Sequence, residues 1–529
     1  MENRFNLVDE PWIPVADVGR VSLKQVFANP SYRSLGGNPV QKIALMKLLL
    51  AIAQAAQTPA DESQWQALGA EGLAQRCLDY LQQWHERFYL YGERPFLQMP
   101  EVEVLIQKRT DKRVKASKTA GKIIEAKVTG SPKSMGAGFY PDLRSNNNTM
   151  LSHTLFEKEL TDADKALLVV SFMNFAFGGK RVEADMLSLA GREMGSHYSA
   201  PAGPSLGSYV GQLHCFPVTG SLQCDIWANV LTHVDIDRLK RWPQGLGTPP
   251  WENMPKSESD DIAMKHKETY QVCLVALSRF VLLKDNGIFY LDGLRYPSVK
   301  EGWYEPSLVL NNAGADIKVK YVDTEKRPWR ELQALLSFFG NKNNSGFECF
   351  ALELGIERLC DHREKFAVWC AGLRVSTNSG DQSVKQGDDF VESLVWLHSR
   401  TLGEPWFAQL KAEMDGLDDL ADTLKKSVKF FFKELTNAHK ASREPKLVQA
   451  MGDSSFGLFW QLSERNFQEL VDSCNPDEQG LLQRLRLRKI FAGYVQQAYD
   501  QFCPKESARQ LDAWAKCRPN NSKYLQQEA

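Results

Sequence analysis

From Phe390 to the C-terminus the apolar residues recur at every third and fourth position, and this run constrains the fold more than any other feature. Leu417, Leu420, Leu424, Val428, Phe431, Phe432 and Leu435 form one stripe, and Phe459, Leu462, Phe467 and Leu470 a second. Leu485–Phe502 is a third, and Ala508–Cys517 a fourth, set off by Pro504. Short connections between amphipathic helices imply antiparallel packing, so the spacing predicts a helical domain over 390–529, a four-helix bundle. Lys425, Lys426, Lys429 and Lys433 lie on one of these helices and Arg484, Arg486, Arg488 and Lys489 on another. Such stripes read as solvated faces.

Before this run the patterns are mixed, and 529 residues exceed what one core usually supports. The expected class is α+β, with a large mixed N-terminal domain over 1–389. Phe5–Val15 reads as a short extended segment broken by Pro11 and Pro14. Asn38 can cap a helix with Pro39 at its first position, ending near Thr58-Pro59. Further helices are expected over Leu73–Phe88 and Asp162–Phe177, the latter stopping at Gly178-Gly179. Trp242–Pro255 reads as an irregular connector. Val272–Leu283 and Ile288–Leu291 flank Lys284-Asp285-Asn286-Gly287, a β-hairpin signal in which Asn-Gly supplies the turn. Lys284 then lies at the tip, its charge aimed at solvent or a partner. Helical pattern returns at Trp329–Phe339 and Phe347–Trp369. Ala371–Asp389 carries Gly372, Gly380 and Gly387 among few apolar residues, which reads as an exposed, turn-rich loop; on spacing alone it is a linker.

Net charge is −1, so any nucleic-acid contact must come from local patches. Lys108–Lys133 concentrates nine Lys or Arg against Asp111 and Glu125, and is either a solvated loop or an electrostatic contact for phosphates. Gly191–Gly211 is glycine-rich, so its backbone could approach a ligand closely, yet it has no Walker or dinucleotide fingerprint. Met1-Glu2-Asn3-Arg4 leads into no secretory signal, and the apolar run Ala166–Phe177 is too short for a bilayer. A cytoplasmic protein without membrane partners is expected. The ten cysteines include no C-x-x-C pair, and His214, Cys215 and Cys224 fit no zinc spacing, so no metal or cofactor is expected. The histidines form no H-x-x-H or H-E-x-x-H. Asp260-Asp261, Asp388-Asp389 and Asp418-Asp419 lie in polar stretches where solvation explains them. These features point to a binding protein with no catalytic residues.

Several stretches together resemble one family, the large subunit (CasA/Cse) of the type I-E CRISPR surveillance complex Cascade. They are F-N-L-V-D-E-P-W-I-P-V at Phe5–Val15, E-R-P-F-L-Q at Glu93–Gln98, S-N-N-N-T-M-L-S-H at Ser145–His153, and a helix ending in F-G-G at Phe177–Gly179. The loop at Ala371 and the terminal helices complete the same order. The resemblance covers nearly the whole chain. It implies a non-catalytic subunit that reads the protospacer-adjacent motif (PAM) of double-stranded DNA from the minor groove. It further implies duplex opening for R-loop formation and help in recruiting a helicase-nuclease. The implied partners are the guide RNA, target DNA, the other Cascade subunits and that helicase-nuclease. Mapped by order, the family's glycine loop falls within Gly191–Gly207, including Gly195 and Ser196, and its hairpin lysine is Lys284. Its glutamine wedge is Gln382 beside Gly380 and Asp381, with Gln386 as the alternative. The loop that meets the guide RNA or a backbone maps to Lys112, Arg113, Lys115, Lys118, Asn146, Asn147 and Leu151; many relatives carry an aromatic residue where this chain has Leu151.

Overall fold

The computed structural model describes residues 2–104, 160–175, 211–257, 259–284, 287–294, 296, 299, 302–311, 317–340, 347–378, 381–383, 389–436 and 445–526. Two compact units result. One comprises Met1–Pro328, Cys349–Leu359 and Ala367–Leu394; the other comprises Trp329–Glu348, Cys360–Phe366 and Val395–Ala529. The class is α+β, with helices dominating the C-terminal part.

Helix Pro39–Ala56 runs through the core of the first unit. The Asn38 side chain accepts from the Gln41 amide while Gln41 Oε1 accepts from the Asn38 amide, and Pro39 occupies the position where no donor is needed. Apolar side chains surround the helix, so Val40, Ile43, Leu45, Leu49 and Ile52 are all buried. By length and composition it could cross a membrane, but 78% of that window is buried inside the fold, as in a core helix. The next helix, Glu62–Gln83, begins well before the expected Leu73, capped by Asp61 and kinked at Gly69 with φ 61°. Its first turns bury only Trp65, too little for an apolar stripe to reveal them. Trp65 stacks on Trp227 at 3.9 Å, each indole N–H donating to the other residue's carbonyl at 2.9 and 3.1 Å.

A three-stranded sheet has the order Phe390–His398, Lys365–Leu373, His214–Val218. The last two pair antiparallel from Ala367 opposite Val218 to Ala371 opposite His214. Two of these strands correct helical expectations. The helix expected over Phe347–Trp369 covers Phe350–His362, and Lys365–Trp369 is already strand. K-F-A-V-W-C-A-G-L is apolar almost throughout because both faces are buried, a run whose period distinguishes neither helix nor strand. Phe390–His398 opens the run read as helical throughout, yet Val391, Ser393, Val395 and Leu397 are buried while Glu392 and Leu394 are exposed, the two-residue period of a strand.

Several buried charges among the described residues are paired. Lys47 Nζ lies 2.5 Å from Glu305 Oε2, and His214 Nδ1 lies 2.8 Å from Glu305 Oε1 and 3.1 Å from Ser307 Oγ. Burial opposes a charge on Glu305, but Lys47 and His214 outweigh it and hold that carboxyl at about 2. Cys215 meets Cys370 across the sheet at 2.7 Å. Among the described residues no three His, Cys, Asp or Glu side chains are grouped to hold a metal. Asp260, expected to be merely solvated, caps helix Asp261–His266 by accepting from the Ala263 amide at 2.6 Å. Asp389 is buried as well.

In the second unit, helix Glu404–Thr436 packs against Lys446–Glu464, Glu478–Phe502 and Ala508–Lys516, with Leu410, Met414, Leu417, Leu424, Val428 and Phe431 buried along it. Phe467–Ser473 and Ser522–Gln526 are two further short helices. The second basic stripe is a solvated face only at Arg486 and Lys489, which are exposed. Arg484 and Arg488 are buried, 2% and 3% exposed. Arg488 grips Glu413 through Nε at 3.1 Å and Nη2 at 2.5 Å, while Arg484 donates to the carbonyls of Ser473 and Asn475. Ion-paired arginines can enter a core where lone charges cannot. On the first stripe, Lys425 pairs with Asp453 at 2.7 Å and Lys429 donates to Gln449.

Candidate nucleic-acid interface

Lys284 closes a hairpin of Arg279–Lys284 and Gly287–Asp292, with Arg279 opposite Asp292 and Lys284 opposite Gly287. Two features differ from expectation. Gly287 belongs to the last strand pair, opposite Lys284, rather than to the turn. The stretch from Val272 is not strand: Gln271–Leu274 is a helical turn, and pairing starts only at Arg279.

The hairpin is fixed from several sides. Phe280, Val281, Leu282, Leu283, Ile288 and Phe289 are buried, so both faces of the ribbon are covered. The Glu93–Gln98 stretch meets it at its last residue. Gln98 Oε1 accepts from the Leu283 amide at 2.8 Å, Gln98 Nε2 donates to the Leu90 carbonyl at 2.7 Å, and the Met99 amide donates to the Val281 carbonyl at 2.9 Å. At the other end the Leu294 amide donates to the Leu277 carbonyl at 3.0 Å, and the Ser278 amide to the Met173 carbonyl at 3.0 Å. Gly293 lies where a Cβ would come within 1.9 Å of the Leu277 carbonyl oxygen, so the two chains can meet only at glycine. His266 Nε2 donates to the Val275 carbonyl at 3.1 Å just upstream, and burial pushes that imidazole down to about 4.

Lys284 does not project freely. A helical turn over 101–104 follows Met99 and carries Glu103, whose Oε2 accepts from Lys284 Nζ at 2.6 Å. Lys284 is thereby reduced to 19% side-chain exposure, while Glu103 keeps 50%. The turn is tied to the same hairpin through Gln98 and Met99, which is why the carboxylate arrives beside the ammonium.

The stretch expected to be an irregular loop is partly strand. Ala371–Leu373 completes a buried sheet strand, and Ser376–Asn378 pairs with Asp381–Ser383. Ser376 faces Ser383, Thr377 faces Gln382 and Asn378 faces Asp381. The Arg374 amide donates to the Asp389 carbonyl at 2.8 Å, closing the base of the excursion. The glycines and polar residues suggested a loop, but a two-residue connection between three-residue polar strands has the same composition.

Gly195, Ser196, Gly380, Gln386, Lys112, Arg113, Lys115, Lys118, Asn146, Asn147 and Leu151 lie outside the described residues. So does Gly203–Gly207, G-P-S-L-G, which matches the G-x-S-x-G spacing of a nucleophile elbow. Glu103, Gln98 and Gly293 were missed by sequence reasoning. Only Gln98 left a signal, as the end of the E-R-P-F-L-Q stretch.

A family model described as CRISPR-associated protein Cse1 matches residues 6–499. A curated relative, CRISPR-associated protein CasA/Cse1 of Thermus thermophilus, is 36% identical over 110 residues, a match spanning 19% of this chain and 22% of that relative. Among solved structures, Thermus thermophilus CasA has a TM-score of 0.67 at 18% identity, covering 99% of both chains. Cse1 from Acidimicrobium ferrooxidans gives 0.65 at 15% identity, covering 99% of this chain and 98% of its own. A chain of a CRISPR RNA-guided surveillance complex gives 0.62 at 14% identity, covering 99% and 100%.

Proposed function

The chain belongs to the CRISPR-associated Cse1 family, and from that membership we propose that it is the non-catalytic large subunit of a Cascade surveillance complex. In this reading it reads the PAM of double-stranded DNA from the minor groove and opens the neighbouring duplex. The guide RNA then pairs with the target strand, and the subunit helps recruit a helicase-nuclease. Lys112, Arg113, Lys115, Lys118, Asn146, Asn147 and Leu151 serve the guide RNA or a backbone, and Gly195 and Ser196 belong to a glycine loop at the motif.

One observation carries the reading: a lysine at the tip of a hairpin whose strands are buried on both faces and hydrogen-bonded at both ends. A long cationic side chain on a fixed support suits the minor groove, where base acceptors lie deep and the code is degenerate. Delegating sequence to base pairing while the protein reads only a short motif is the general plan of RNA-guided recognition. The polar hairpin bearing Gln382 supplies a wedge, and Asp381 beside it disfavours drift toward phosphates.

Binding of the assembled guide-RNA complex to motif-bearing and motif-scrambled duplex tests this. Lys284→Ala should cost about 1–3 kcal/mol on the matching motif and much less on the scrambled one. Equal losses on both would make Lys284 a phosphate contact and overturn the reading role.

A further inference from the structure

We propose that Glu103 sets the specificity of the Lys284 finger, by occupying its ammonium until a motif acceptor displaces the carboxylate. This inference rests on the PAM-reading role of Lys284. The pair is short, with Lys284 Nζ 2.6 Å from Glu103 Oε2, and among the described residues neither side chain has another partner. Both members belong to one framework. Lys284 ends a buried strand, and Glu103 rides on the turn that Gln98 and Met99 bond to that strand. The carboxylate therefore travels with the lysine and faces whatever the hairpin tip meets.

The exposures are unequal, and this decides the consequence. Lys284 is largely covered while half of the Glu103 side chain remains in solvent. A polyanion approaching the tip therefore meets a lysine whose charge is already neutralised. Non-specific attraction, which comes from lysines neutralising phosphates and releasing counterions, is thereby withheld from this position. A fixed acceptor in the motif's groove can still win the ammonium, because partly exposed ion pairs are weak and exchange readily. Glu103 thus weakens binding to all duplexes but weakens it most where nothing replaces it. Discrimination between two ligands rises when the wrong one is penalised. Glu103 is a positioning residue that acts through Lys284.

The experiment uses the assembled guide-RNA complex with Glu103→Gln, Lys284→Ala and the double variant, on motif-bearing and motif-scrambled duplex across a salt series. Glutamine keeps the size and an acceptor but removes the charge. The expected result for Glu103→Gln is several-fold tighter binding to scrambled duplex and a smaller gain on the motif, so the specificity ratio falls. The slope of log affinity against log salt should steepen by about 0.9, one recovered phosphate contact. The double variant should match Lys284→Ala alone. An unchanged slope and ratio for Glu103→Gln, with Lys284→Ala still losing affinity mainly on the motif, overturns this inference and leaves the PAM-reading role standing. The Glu103→Gln gain persisting without Lys284 also overturns it, since the carboxylate would then repel DNA independently. Equal losses on both duplexes for Lys284→Ala would remove the PAM-reading role itself.

Discussion

Lys284 and Gln382 both stand on hairpins with two-residue connections, but the strands beneath them are built differently. Arg279–Lys284 and Gly287–Asp292 pair over six positions and bury Phe280, Val281, Leu282, Leu283, Ile288 and Phe289. Ser376–Asn378 and Asp381–Ser383 pair over three and contain no apolar residue. A short two-stranded ribbon is marginal in water on its own, so the second hairpin depends on backbone pairing and on the Arg374–Asp389 bond at its base. The first takes its position from the core. A reader gains from this arrangement, because a pre-set finger loses little conformational entropy on binding. A wedge gains from the opposite one, since it must fit a duplex that is itself changing shape.

The sharpest way to break this comparison is to place equivalent lesions in the two hairpins. Gly293→Ala forces a Cβ against the Leu277 carbonyl, backbone that cannot swing aside, and should destabilise the first unit by about 3 kcal/mol. Thr377→Ala in the second hairpin should stay within about 0.5 kcal/mol. Denaturant midpoints followed by tryptophan fluorescence check both, and equal shifts would mean the two hairpins are anchored alike.

Acid should loosen the same anchored hairpin. His266 is held at about 4 against an ordinary 6.5, so the unfolded chain takes its proton first. The stability this contributes is complete above 6.5 and is lost as pH falls through 6.5 toward 4. Between pH 7 and 5 the loss should be about 2 kcal/mol. His266→Gln should flatten that pH dependence. A slope unchanged by the substitution would assign it to other groups.

The smallest effect belongs to the wedge, and it is kinetic. Opening a duplex beside the motif gives up at least one stacking step, on the order of 1–2 kcal/mol. Gln382→Ala should therefore slow R-loop formation roughly tenfold on closed duplex and little on DNA already melted beside the motif. Equal slowing on both substrates would remove the wedge, and an effect confined to Gln386→Ala would move it there.

Features written within a few residues were legible in the sequence. The Asn38-Pro39 cap appears where expected because both halves of a capping box lie three residues apart. The helical stripe from Leu417 to Phe431 is present because a helix facing one core must repeat its apolar side chains. Lys284 was placed at a hairpin tip by the turn residues beside it, although Gly287 belongs to the last strand pair rather than to the turn. The strands Lys365–Leu373 and Phe390–His398 were misjudged because a continuous apolar run carries no period and a single alternating segment was read with its helical neighbours.

What the sequence by itself determined is the class, the helices after Leu417 and the family resemblance, since these rest on local pattern and motif order. Only the tertiary structure decided which charges are free. Glu103 and Lys284 stand 181 residues apart, and Glu413 and Arg488 stand 75 apart, yet each pair meets at hydrogen-bond distance. A glutamate or arginine reads the same in sequence whether water or a partner surrounds it. Its environment is set by which strands and helices pack together, and that packing brings distant charges into contact where water would otherwise have solvated each alone.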